Sequence, residues 1–214
     1  MLKRVAAIIL TLMMITSLNV VFAGPSKPGG EKPTIHAGPA HNPIKIAIMS
    51  DIHVYNPALG TTGSAFQAYL AQDGGRMEVA SEAIFDSALD IVLNSDAQVL
   101  LIAGDTTNNG ELASHELVAK KLDRLTKAGK KVFVINGNHD IFNPGASSYS
   151  GNTATRARNA SPEDFKALYH ALGYDQAIAK DPNSLSYAVN LAPDVQLIAI
   201  DSCIYAASNT KPVT

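Results

Sequence analysis

Residues 130–140 read KKVFVINGNHD. The apolar run Val132-Phe133-Val134-Ile135 has the length and branching of a strand buried in a sheet. It runs straight into Asn136, Gly137, Asn138, His139 and Asp140, four hydrogen-bonding or metal-binding side chains around one glycine. Taken alone, Asn-Gly is a common turn pair. What the stretch means depends on the rest of the chain.

Two other stretches have the same build. IKIAIM (44–49) reads as a strand buried on both faces and runs into Ser50-Asp51-Ile52-His53. VLLIA (99–103) runs into Gly104-Asp105-Thr106-Thr107. Helix-period stretches lie between the strands. In 77–93, Ala80, Ile84, Ala88 and Ile91 share one face. In 114–128, Val118, Leu122 and Leu125 do the same, with Ser114 as N-cap and Gly129 as the stop. Strand–helix–strand–helix–strand predicts an α/β fold with a parallel sheet and right-handed crossovers. A third helix is expected over 162–172, capped by Ser161, with Phe165, Leu168, Tyr169 and Leu172 facing the core and Gly173 ending it. SLSYAVNL (184–191) and VQLIAI (195–200) then read as a hairpin that starts a second sheet. Residues 54–76 and 143–160 read as long polar loops, a kind often functional.

All three core strands therefore end in polar clusters. Ligands of an open parallel sheet bind outside the carboxyl ends of its strands, so the clusters converge on one edge. Each cluster alone is most simply a turn; their convergence favours a metal site. Asp51 and His53 lie two residues apart, which on extended chain puts both side chains on one side. A carboxylate with an imidazole suits zinc, iron or manganese. Gly104 and Gly137 permit sharp turns ahead of Asp105 and Asn138, and a carboxylate has two oxygens with which to bridge two cations. His139 can donate a proton, with Asp140 able to orient it.

Asp51-x-His53, Gly104-Asp105 and Gly137-Asn138-His139-Asp140 resemble the calcineurin-like metallophosphoesterase family over roughly residues 44–202. The insert after Asp-Ile-His and the stretch GDTTNNGELASHE (104–116) resemble secreted bacterial members in particular. The resemblance implies a sandwich of two packed β-sheets flanked by helices and a two-metal hydrolytic site acting on a phosphate ester. Carried over residue by residue, Asp51 and His53 would hold one metal, Asp105 would bridge both, and Asn138 would hold the second. His139 would contact the phosphate and assist the leaving group, supported by Asp140. The two ions, about 3.5–4 Å apart, would activate a bridging water for in-line attack. Iron, zinc and manganese all suit the donors.

The 214 residues also carry a leader pattern. Lys3 and Arg4, an apolar run and Val21-Phe22-Ala23 read as a signal peptide over 1–23 with cleavage near Ala23, so a secreted or periplasmic protein with no stable membrane association is expected. Residues 24–43 read as a flexible Pro/Gly linker, with His36 and His41 solvated, and 44–214 as the phosphoesterase domain. Losing 1–23 removes two bases and no acid, taking the net charge from −2 to −4, which gives no nucleic-acid signal. Cys203 is the only cysteine, so no internal disulfide can form, and it reads as a small buried residue.

The family pattern has a further His and a Gly-His-x-His segment. None of the six histidines (36, 41, 53, 115, 139 and 170) lies after 170. The chain is therefore expected to be the N-terminal portion of the fold, cut off after the start of the second sheet. By itself it is expected to bind metal weakly and to be weakly active or inactive. His115 and His170 are read as surface residues on helices, Asn108 and Asn109 as loop, Arg156 and Arg158 as solvated, and Asp201 as a strand end. Two readings stay open, a secreted metal-dependent phosphoesterase and a non-catalytic secreted module or inactive fragment that keeps half of the metal site.

Overall fold

The computed structural model describes residues 43–72 and 76–204. The expected leader and all of the linker except Pro43, including His36 and His41, lie outside the described residues. Strands β1 (Ile46–Met49), β2 (Val99–Ala103) and β3 (Lys131–Ile135) form a parallel sheet in that order. Met49 pairs with Ile102 and Ala103 with Ile135, so the strand ends meet at one edge. Helices α2 (Glu78–Asn94) and α3 (Leu112–Lys127) make the two crossovers. The fold is mixed α/β, as the strand–helix alternation predicts.

Three expectations about faces need correction. β1 is not buried on both faces. It is an edge strand of the described sheet, with Ile46 and Ile48 40% and 61% exposed while Ala47 and Met49 pack on the core. In α2 the buried stripe is Ser81, Phe85, Leu89 and Val92, and Ile84 and Ile91 are exposed. The helix carries two apolar stripes one residue out of phase. The larger Phe85 and Leu89 bury more area than Ala80 and Ala88, so their stripe takes the core. Ser114 does not cap α3, because the helix starts two residues earlier behind Glu111. Ser114 is buried and its Oγ accepts the Asn56 N–H at 3.1 Å.

The end of α3 follows expectation. Gly129 sits at φ +84°, with its N–H on the Thr126 carbonyl and the Lys130 N–H on the Leu125 carbonyl, the paired bonds of a Schellman turn. Ion pairs lace α3 to α2, Lys121 to Glu82 and Asp86 at 2.8 and 2.7 Å and Arg124 to Asp86 and Asp90.

Neither long loop is structureless. Residues 54–76 contain a short 3-10 turn (Pro57–Leu59) and helix α1 (Ser64–Gln72). Residues 143–160 contain a hairpin of β4 (Ser147–Ser150) and β5 (Thr153–Arg156). Phe66 of α1 is fully buried between Tyr55 and Tyr149 and joins these inserts, a packing between distant segments that no local periodicity encodes.

Helix α4 (Pro162–Leu168) has the expected Ser161 cap, made reciprocal by Asp164. It ends before Leu172, where the chain bends through an irregular turn (His170–Tyr174) with Gly173 at φ +133°. β6 (Ala179–Lys180), β7 (Tyr187–Ala192) and β8 (Val195–Ala199) form the antiparallel second sheet, with the β7–β8 hairpin where expected. Tyr187 Oη donates to the Val134 carbonyl at 3.0 Å, and Asn136 Nδ2 donates to Asp201 at 3.0 Å, so β3 is tied to the second sheet. Among the described residues no helix is long and apolar enough to cross a membrane.

Candidate metal centre

Asp51, His53 and Asp105 each offer a ligand atom, and these atoms lie within 4.8 Å of one another. Strand alternation is not what brings the first two together, contrary to expectation. β1 has ended at Met49, and Asp51 and His53 adopt left-handed backbone at φ 54° and 49°. Asp105 does the same at φ 47°. Each such residue costs about 1 kcal/mol or more relative to right-handed backbone. Backbone bonds between the two segments hold them there: Asp51 N–H to the Gly104 carbonyl, His53 N–H to Asp105 and Val54 N–H to Thr106, at 3.0–3.2 Å. Strain concentrated on the three candidate ligands is what a built site looks like.

The third strand end presses onto the second. A Cβ on Gly137 would lie 2.2 Å from both the backbone N and the Oδ1 of Asp105, so only glycine fits. The following turn puts the His139 N–H on Asp105 Oδ1 at 2.9 Å. Asn138, half-buried, lies between these two residues, both against Asp105.

Burial raises the Asp105 carboxyl above its ordinary range, reinforced by the Asp140 charge and opposed by the bond from His139. Burial and then the Arg76 charge hold the His53 imidazole below its usual range, in the neutral form a metal requires. The Nδ1 of His53 is buried without a hydrogen-bond partner. Two carboxylates and a neutral imidazole with an unsatisfied buried nitrogen make a donor set that fits zinc, iron or manganese.

His139 and Asp140 differ in role. The His139 ring stands edge-on to that of His53, centroids 4.9 Å apart. Its Nδ1 is 2.8 Å from the Asn108 carbonyl, which can only accept, so Nδ1 carries the proton. Arg76 Nη2, a donor only, lies 3.4 Å from Nε2, which leaves the Nε2 lone pair facing the guanidinium. Asp140 does not orient His139 as expected. It is fully buried, and its carboxylate accepts the N–H groups of Thr106, Thr107 and Gly137 and the Thr107 hydroxyl at 2.9–3.1 Å. Asp140 therefore clasps the β2 and β3 turns together and is a positioning residue.

His115 is not a surface residue. It is fully buried, and its Nε2 donates to the Asp140 carbonyl at 2.9 Å while its Nδ1 meets Tyr169 Oη at 2.9 Å. Its spacing from Val118, Leu122 and Leu125 is the core stripe of α3, a signal legible in the sequence. His170, as expected, is exposed and pairs with Asp175. Asn108 is more than loop, since its carbonyl fixes His139 and its side chain bonds Arg76 and Tyr69. Asp201 joins the strand ends, Arg158 pairs with Asp164, and Arg156 is exposed. Cys203 is half-buried rather than buried.

Glu111 supports the same loop, its Oε2 accepting the Asn109 N–H at 3.1 Å. Burial pushes its carboxyl from 4.5 up to about 7. The folded state therefore holds the proton where the unfolded chain has released it. Its contribution to stability is complete below pH 4.5 and is lost as pH rises through about 7. Glu111→Gln should match the wild type near pH 4.5 and exceed it at pH 8 by about 3 kcal/mol, read as a higher Tm in paired melts. Parallel pH profiles for the two proteins would contradict the buried carboxyl.

The family model for calcineurin-like phosphoesterases matches residues 44–193, a span that holds Asp51, His53, Asp105, Asn138, His139 and Asp140. No curated protein matches the chain.

Proposed function

The chain belongs to the calcineurin-like phosphoesterase family, and on that footing we propose that Asp51, His53 and Asp105 form the metal centre of an exported phosphoester hydrolase. The observation that supports it most is the convergence of the three ligand atoms within 4.8 Å, reached only through strained backbone at all three residues. In this reading Asp51 and His53 would hold one ion, and Asp105 and Asn138 would serve a second. Iron, zinc or manganese supplies Lewis-acid polarisation of the phosphoryl group and an acidified water when bound.

The chain's own residues do the rest. Asp140 and Gly137 hold the β3 turn against Asp105, so its oxygens stay aimed at the site. Asn108 accepts from His139 Nδ1, so a second proton taken up from solvent binds at Nε2, and the imidazolium passes it to the departing ester oxygen and returns to the neutral Nδ1–H form. Export rests on the leader pattern of residues 1–23.

The full-length protein should release the aryl alcohol from a panel of aryl phosphate monoesters and diesters when manganese or zinc is added, and a chelator should abolish the release. No metal-stimulated release from any member of the panel would sink the reading.

A further inference from the structure

We infer that Arg76 is a phosphate-binding residue that sets the preference of this site for phosphomonoesters over diesters. The inference rests on the phosphoesterase reading above. Arg76 precedes α2, far in sequence from the three strand ends, yet its guanidinium reaches the candidate centre. Nη2 lies 3.4 Å from His139 Nε2 and Nη1 3.3 Å from Asn108 Oδ1.

Asn108 makes this a fixed arrangement. Its main-chain carbonyl holds His139 Nδ1 at 2.8 Å, its side-chain oxygen takes Arg76 Nη1, and its side-chain nitrogen donates to Tyr69 Oη at 2.6 Å. Asn108 is 1% exposed, so the residue that spaces the guanidinium from the imidazole is itself locked in place. The result is a pair of nitrogen groups side by side at the mouth of the Asp51–His53–Asp105 group. A guanidinium is the side chain best matched to two phosphate oxygens at once.

The contact to His139 also shows what substrate would do. In the structure the guanidinium faces the Nε2 lone pair, a weak long contact at 3.4 Å. A phosphate oxygen between the two groups accepts from Arg76 and leaves Nε2 to hold a proton. A monoester dianion presents three unshared oxygens with close to two charges, while a diester presents two with one charge. Metal and imidazole satisfy the smaller set, and the extra oxygen and charge of the monoester are what the guanidinium adds.

The test compares manganese-loaded full-length wild type with Arg76→Gln and Arg76→Lys. One readout is kcat/KM on an aryl monoester and a bis-aryl diester; the other is calorimetric binding of inorganic phosphate. Arg76→Gln should lose about 30-fold on the monoester and less than about 3-fold on the diester, and should bind phosphate about tenfold more weakly. Arg76→Lys should recover part of each, since a point charge replaces a fork. Equal losses on both esters with unchanged phosphate binding would overturn the role of Arg76 while leaving the hydrolase reading intact. A wild type that hydrolyses neither ester but binds phosphate through Arg76 would leave the subsite standing and remove the hydrolase. A wild type that binds no phosphate would overturn the inference outright.

Discussion

Asp105→Asn is expected to lower metal-dependent hydrolysis on the order of a thousandfold while leaving the metal-free protein at least as stable as the wild type. The amide keeps the Oδ1 that accepts the His139 N–H at 2.9 Å, so the turn should stand. The negative oxygen facing His53 Nε2 at 3.9 Å is lost. Metal stabilisation of a phosphoryl transition state is worth several kcal/mol, which is about three powers of ten in rate. The stability sign follows from the raised pKa of Asp105. A carboxyl that folding pushes up costs stability above its unfolded pKa, and the neutral amide removes that cost. Manganese should raise the wild-type Tm and leave that of Asp105→Asn nearly unchanged, because only the wild type has the donors to link binding to folding. Full activity in the variant would remove Asp105 from the centre.

Asp140→Ala should have the opposite signature, a large loss of stability. The carboxylate is fully buried and accepts from three backbone N–H groups and one hydroxyl. Removing it strands the Thr106, Thr107 and Gly137 amides in a dry site, at about 1–3 kcal/mol for each unsatisfied group. Relaxation will recover part of this, so a net loss of about 4 kcal/mol and a Tm drop of about 10 °C are expected in thermal melts. His139→Ala is the control. Its half-buried side chain bonds Asn108, with longer contacts to Asn109 and Arg76, and satisfies no backbone amide, so activity should fall without a comparable change in Tm. Equal destabilisation by the two variants would show that Asp140 does not clasp the turns.

The sheet and the position of the site were legible for a simple reason. Three short apolar runs followed by polar clusters encode parallel strands with a functional carboxyl edge, and Val99–Ala103 and Lys131–Ile135 lie where that pattern puts them. The geometry inside the site was not legible. The alternation rule placed Asp51 and His53 on one side of a strand, but left-handed backbone at both residues does it instead. Such conformations depend on partners 50 residues away, the carbonyls of Gly104 and Asp105, and no local pattern records them. The family resemblance sets Asp140 behind His139, whereas the bond that orients the imidazole comes from Asn108 across the loop. Arg76 sits in a stretch with no periodicity and could be found only once the chain was folded. His115 is the instructive miss. Its spacing from Val118 and Leu122 marked it as core, and a buried histidine must find partners, here the Asp140 carbonyl and Tyr169.

The central claim is that Asp51, His53 and Asp105 bind metal as one group. It is tested most directly by titrating the wild type and Asp105→Asn with manganese and following free and bound ion by electron paramagnetic resonance. The wild type should bind manganese, and the variant should bind about a hundredfold more weakly or not at all. Equal affinity in the two proteins, or no binding by the wild type, would contradict the metal centre.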